Sequence, residues 1–237
     1  MTDVSGAIHR KQFDPSTLGA TAWWRADRTD KITFGVGSKI AIVQSLINPS
    51  QILGQAVAID QPTLSTGTFN GHDCFSFDGL TQFMTDNTTF AALTNPFTML
   101  IAVRPATWVL NATICVTADA GETVDFYQSP GSPNVRMYQG GAGIEGTPVP
   151  LTLGQCHVVG CRYDNGGSST IQVDRGAAVA EGGLGPGTMS SVSVGRDGSN
   201  PINWWAGDIA ELIFLPGRLS DVDMQTAMVG LLGYYSL

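Results

Sequence analysis

Charge is scarce in this chain, with Asp, Glu, Lys and Arg together making up 14% of its 237 residues. Only twelve of these are Lys or Arg, and they are scattered without a basic run. With a formal net charge of −8, this scarcity argues against nucleic acid or an anionic membrane surface as a partner. Long apolar runs are missing too, so membrane insertion as a spanning helix is not expected. Residues 1–20 lack the apolar centre of a secretory signal, which predicts synthesis in the host cytoplasm without a signal peptide. Cys74, Cys115, Cys156 and Cys161 fit neither paired zinc spacing nor a disulfide framework and are expected as buried free thiols. No long helical pattern occurs before residue 220, although Asp14-Pro15 reads as the start of a short helical turn.

What the chain does have is glycine, 29 copies of it, and an apolar fraction of 43%. That combination predicts many short strands joined by turns around a real core, in a single domain of this length. Ile209, Leu212, Ile213, Phe214 and Leu215 are apolar on both parities of a two-residue period, so their strand is expected to be central and covered on both faces. Pro216-Gly217 stops it. Ser220 then reads as an N-cap with Asp223 three residues on, ahead of the helical stripe Val222, Met224, Ala227, Met228, Leu231 and Leu232. Phe75 and Phe77 share one face of a strand that Gly79 is expected to turn back as a hairpin into residues 81–84. Residues 1–12 are polar and unpatterned, a candidate N-terminal arm ahead of a domain over 13–237.

The most informative pair is 123–128 with 134–139, which alternate across a Pro- and Gly-containing turn. Val124, Phe126, Val135 and Met137 take one face, leaving Asp125, Tyr127, Arg136 and Tyr138 on the other. That second face is the candidate binding surface. Trp108 and Trp204 join it as aromatics able to stack on sugar rings, with Asp125 and Arg136 available to hydroxyls. The competing use of such a face is cross-strand packing or contact with another subunit.

Several pieces in order carry a family resemblance: Phe13-Asp-Pro to Trp24-Arg-Ala, Gln61-Pro62 followed by Phe77-Asp78-Gly79, and the Phe97 to Arg104 strand. His157 to Asp164, Val173-Asp174, Val194-Gly195-Arg196 and the Trp205 to Glu211 run with Leu219-Ser220 complete it. In these the chain resembles laminin-G-like domains of the concanavalin A-like lectin and glucanase superfamily. The resemblance implies an all-β jelly-roll sandwich of two antiparallel sheets with a short C-terminal helix, whose face or rim loops bind sugar or protein, sometimes with calcium.

Glycosidases of that superfamily carry Glu-x-Asp-x-x-Glu on one strand, and none of the four glutamates here has that spacing. Asp208 and Glu211, three apart on one strand, are expected on opposite faces. His9, His72 and His157 form no recognisable catalytic or metal pattern. Asp78, Asp164, Asp174, Asp197 and Asp208 could ligate calcium, but turn chemistry accounts for each, so no metal or cofactor is expected. The sequence reading is therefore a non-enzymatic, homo-oligomeric module of a bacteriophage virion surface, contacting other virion proteins or cell-surface glycan. A free carbohydrate-binding lectin is the alternative, with a glycoside hydrolase third.

Overall fold

The computed structural model describes residues 13–117, 124–129, 133–139, 146–181, 184, 186–198 and 202–237. The expected N-terminal arm, residues 1–12, lies outside them, as do Glu122 and Glu145. Strands are numbered in chain order. The first seven are β1 (Ala22–Arg25), β2 (Ile32–Phe34), β3 (Ile40–Gln44), β4 (Ile52–Gly54), β5 (Thr63–Phe69), β6 (His72–Asp78) and β7 (Met84–Asp86). Then follow β8 (Leu93–Thr94), β9 (Phe97–Pro105), β10 (Thr113–Val116), β11 (Val124–Gln128), β12 (Asn134–Gln139) and β13 (Val149–Pro150). The last are β14 (His157–Tyr163), β15 (Thr170–Val173), β16 (Val179–Ala180), β17 (Thr188–Met189), β18 (Val192–Val194) and β19 (Ala206–Pro216), before helix α1 (Asp221–Tyr234).

Two antiparallel sheets make an all-β sandwich with a C-terminal helix, the architecture expected from the sequence. The first runs β16-β15-β14-β9-β19-β6-β5 with β1 also on β19, and the second β13-β12-β11-β10-β18-β7-β4-β3-β2. Apolar side chains from both sheets, among them Trp24, Phe97, Phe126 and Trp205, fill the space between them. A second core lies on the other side of the first sheet. β19 explains why there are two: Ile209, Leu212 and Phe214 enter the inter-sheet core, while Ala210, Ile213 and Leu215 meet α1.

Helix α1 begins where the sequence places it, with Ser220 Oγ accepting from the Asp223 backbone N–H at 3.1 Å. Met224, Ala227, Met228, Leu231 and Leu232 form its buried stripe, whereas Val222, expected in it, is exposed in the first turn. At roughly 1.5–3 kcal/mol for each large side chain removed from water, this stripe outweighs intrinsic helix propensity in holding the element. Gly160 of β14 lets the helix sit close, because a Cβ there would lie 2.1 Å from Met224 Cε.

Two expectations are corrected. β6 does not fold back across Gly79: it pairs with β5 and β19, whereas β7 pairs with β18 and β4 in the other sheet. Phe75, Phe77 and Met84 all enter the inter-sheet core, so the connection crosses between layers and the apolar faces close on each other. Asp208 and Glu211 are also not on opposite faces. A bulge between Ile209 and Glu211 shifts the register so that Asp208 faces Arg104 and Glu211 faces Ala102, two residues apart on β9. The extra residue restores parity, and both carboxylates lie on the α1 side of the sheet.

Candidate functional site

The β11–β12 hairpin sets Asp125 opposite Tyr138 and Tyr127 opposite Arg136. Their neighbours Val124, Phe126, Val135 and Met137 enter the inter-sheet core, so these four lie on the outer face of the second sheet. Pairing continues the row from Tyr138 and Asp125 through Val116, Ser193, Thr85, Gly54 and Ile42 to Thr33. Helix α1 packs on the other sheet and does not cover this face. Asp125, Arg136 and Tyr138 are half-buried, but Tyr127 is only 6% exposed. The sequence could not show that burial, and it leaves Tyr138 as the tyrosine of the pair with an accessible ring.

Both predicted tryptophans come from loops tied to this hairpin. Gln128 donates Nε2–H to the Thr107 carbonyl at 3.1 Å and accepts from the Val109 N–H at 3.3 Å, fixing the backbone on either side of Trp108. Thr113, paired with Tyr127, donates its backbone N–H to the Asn203 carbonyl at 2.9 Å, which anchors the residue before Trp204. Trp204 itself packs against Phe83, ring centroids 5.9 Å apart, and Arg196 lies over both rings. Phe83 and Arg196 were not among the sequence candidates. The available signal was parity, since Phe83 precedes the core residue Met84 and is thereby turned to the outer face.

The five aspartates considered for calcium each have local work, Asp197 accepting from Asn203 Nδ2 at 3.4 Å. Asp78 accepts from the N–H groups of Leu80, Thr81 and Gln82, and these bonds hold its carboxyl below the usual range against the opposing effect of burial. Asp164 accepts from the Gly166 N–H at 3.1 Å, and Asp208 binds Arg104 Nε at 2.7 Å. His157 accepts at Nε2 from the Thr152 N–H at 3.1 Å, leaving Nδ1–H to donate to Asp174 at 2.7 Å. Among the described residues, no group of three or more His, Cys, Asp or Glu side chains is arranged to hold a metal ion.

A separate polar cluster forms on the α1 side of the first sheet, where the bulge in β19 hands one edge from β6 to β1. Glu211 accepts from Trp23 Nε1 and from the Tyr235 hydroxyl, the latter at 2.8 Å. Burial pushes its carboxyl up to about 7. Asp27 accepts from the Asp73 N–H at 2.9 Å and from the Tyr234 hydroxyl, and pairs with His72 Nδ1 at 3.0 Å. Its pKa is lowered because those bonds together exceed the effect of burial, the largest single influence. Arg25, opposite Glu211, lies over the Trp23 and Tyr234 rings. These groups are tied to one another and to the C-terminal turn of α1.

No family model matches the chain, and no curated protein matches it in sequence. Solved structures do match in fold. A GH54 α-L-arabinofuranosidase superposes with a TM-score of 0.62 at 13% identity, over 81% of this chain and 50% of that one. Trypanosoma rangeli sialidase gives 0.60 at 11% identity, over 91% of this chain and 34% of that one. Domain 4 of AbnA, a GH43 extracellular arabinanase from Geobacillus stearothermophilus solved in complex with arabinotriose, gives 0.50 at 16% identity, over 90% and 97%. This chain thus spans half or less of the first two and nearly all of the third. At these identities the likeness establishes the fold and nothing finer. It nonetheless corrects the reading of the chain as a non-enzyme, because the proteins sharing this fold include an arabinofuranosidase, an arabinanase and a sialidase. The missing Glu-x-Asp-x-x-Glu excludes one carboxylate arrangement, not hydrolysis.

Proposed function

We propose that this chain binds carbohydrate on the outer face of its second sheet. The observation that carries the reading is the cross-strand set of Tyr138 with Asp125 and Arg136 with Tyr127, on a face that α1 leaves uncovered. A half-exposed tyrosine ring covers the apolar C–H side of a sugar, while a carboxylate and a guanidinium beside it address hydroxyls from the edge. The similarity to an arabinanase domain bound to arabinotriose, over nearly the whole of both chains, supports a pentose-containing glycan as the first ligand to try. The comparisons favour this glycan reading over a virion role. Copy number on gradient-purified particles from the source organism tests the latter.

Affinity electrophoresis in gels containing arabinan tests the glycan reading. Retardation of the wild type should be lost in Tyr138→Ala, whose melting temperature should stay within about 1–2 °C because the ring is not core. Unchanged retardation would remove this face from the reading. Tyr127→Ala is a poorer test, since it opens a cavity under a buried ring. Reducing ends measured in the same arabinan samples report whether bound polymer is also cut.

A further inference from the structure

Among the described residues two arginines, Arg25 and Arg196, each lie over two aromatic rings with a buried, unpartnered Nε, and of these Arg25 is only 8% exposed whereas Arg196 is half-buried. Arg28, Arg104, Arg162 and Arg218 each have a carboxylate within ion-pair distance. Arg196 has none. Its guanidinium carbon lies 3.4 Å from the Phe83 ring centroid and 5.5 Å from that of Trp204, a stacked arrangement that holds the fork still and leaves its N–H edge uncommitted. Its Nε is buried with no hydrogen-bond partner among the described residues, and burial lowers its pKa against the opposing charges of Asp60 and Asp197. The residue is half-buried, so a ligand can approach the remaining edge.

Position joins this cluster to the proposed site. Phe83 lies two residues before Thr85, which stands four strands along the row that begins at Tyr138 and Asp125, beyond the fully buried Val116 and Ser193. Trp204 follows Asn203, whose carbonyl is bonded to the partner of Tyr127. Resting on the carbohydrate reading, we propose that Phe83, Arg196 and Trp204 form a second subsite that takes the carboxylate of an acidic sugar, making the preferred ligand a uronate-bearing glycan. The aromatic rings offer a stacking surface, and the guanidinium supplies the paired N–H donors that match a carboxylate. The net charge of −8 opposes an acidic ligand at long range, but charges beyond about 8 Å are largely screened at physiological salt, so the local cation decides.

Isothermal titration with arabinotriose and with trigalacturonate tests the inference on the full chain. Wild-type protein should bind trigalacturonate about tenfold more tightly than arabinotriose, a difference of about 1.4 kcal/mol, and raising salt should erode only the acidic ligand's affinity. Arg196→Gln should abolish the preference while leaving arabinotriose affinity unchanged, and Arg196→Lys should recover part of it. Arg196→Gln gives up the stacking on Phe83 and Trp204, so its melting temperature should fall by about 2–4 °C while the chain stays folded and arabinotriose binding reports on the intact first site. Binding of arabinotriose without an acidic preference, or a preference that survives Arg196→Gln, overturns this inference and leaves the carbohydrate reading standing. Failure of either trisaccharide to bind, joined to unretarded migration in arabinan gels, overturns both.

Discussion

Glu211 shows how much one side chain's surroundings decide. It is buried, bonded by Trp23 and Tyr235, and its pKa is raised from an ordinary 4.5 to about 7 chiefly by loss of solvent. The raised value fixes the sign of its effect on stability. Below about 4.5 the group is protonated in both folded and unfolded chains. As pH rises toward 7 the unfolded chain ionises first, so the stability associated with Glu211 falls by on the order of 3 kcal/mol across that window. Urea denaturation at pH 5 and pH 8 should show a smaller loss of stability in Glu211→Gln than in the wild type. Equal losses would mean that the carboxyl ionises inside the fold without cost. The same residue marks a limit of sequence reasoning, because counting parity from Asp208 to Glu211 missed the bulge that puts them on one face. Tyr127 marks another: its alternation is visible in the sequence, whereas its burial depends on what the rest of the chain lays over it.

At the scale of elements, β19 and α1 organise the first sheet, and both were legible. A strand apolar on both parities needs two covers, and here it has the second sheet on one side and the helix on the other. The Ser220 cap is local chemistry and should behave locally, with Ser220→Ala costing about 1 kcal/mol in equilibrium unfolding. Gly79 is a stricter case. Its φ of +72° is left-handed, and a Cβ there would come within 2.7 Å of the Ala206 Cβ, where the β6 to β7 connection passes β19. Gly79→Ala should therefore lower stability by more than the roughly 1–2 kcal/mol of left-handed strain alone, measured by denaturant midpoint. A neutral result would show that the crossover relaxes without disturbing either sheet. That connection was not legible, since a glycine after an alternating strand serves a hairpin and a layer crossing equally well.

Over the whole molecule, the two cores protect most of the thiols. Cys74, Cys115 and Cys161 are buried, and burial pushes Cys74 up to about 12 and raises Cys115 and Cys161 well above the usual thiol range. Cys156 is only partly buried. Alkylation of the native protein should label Cys156 alone, the other three reacting at the rate of global unfolding. Early labelling of Cys74 would show that α1 opens independently of the sandwich. The sequence by itself determined the mostly-β class, the central last strand and the capped terminal helix with its buried stripe. It also determined the alternation that gathers Asp125, Tyr127, Arg136 and Tyr138 on one hairpin face. These depend on periodicity and capping, which act over a few residues. Only the tertiary structure decided which sheet each strand joins, the shared face of Asp208 and Glu211, the burial of Tyr127 and the meeting of Trp204 with Phe83 and Arg196. Those arise from pairings between strands far apart in sequence, where a one-residue bulge or a layer crossing changes every downstream neighbour while leaving local pattern intact.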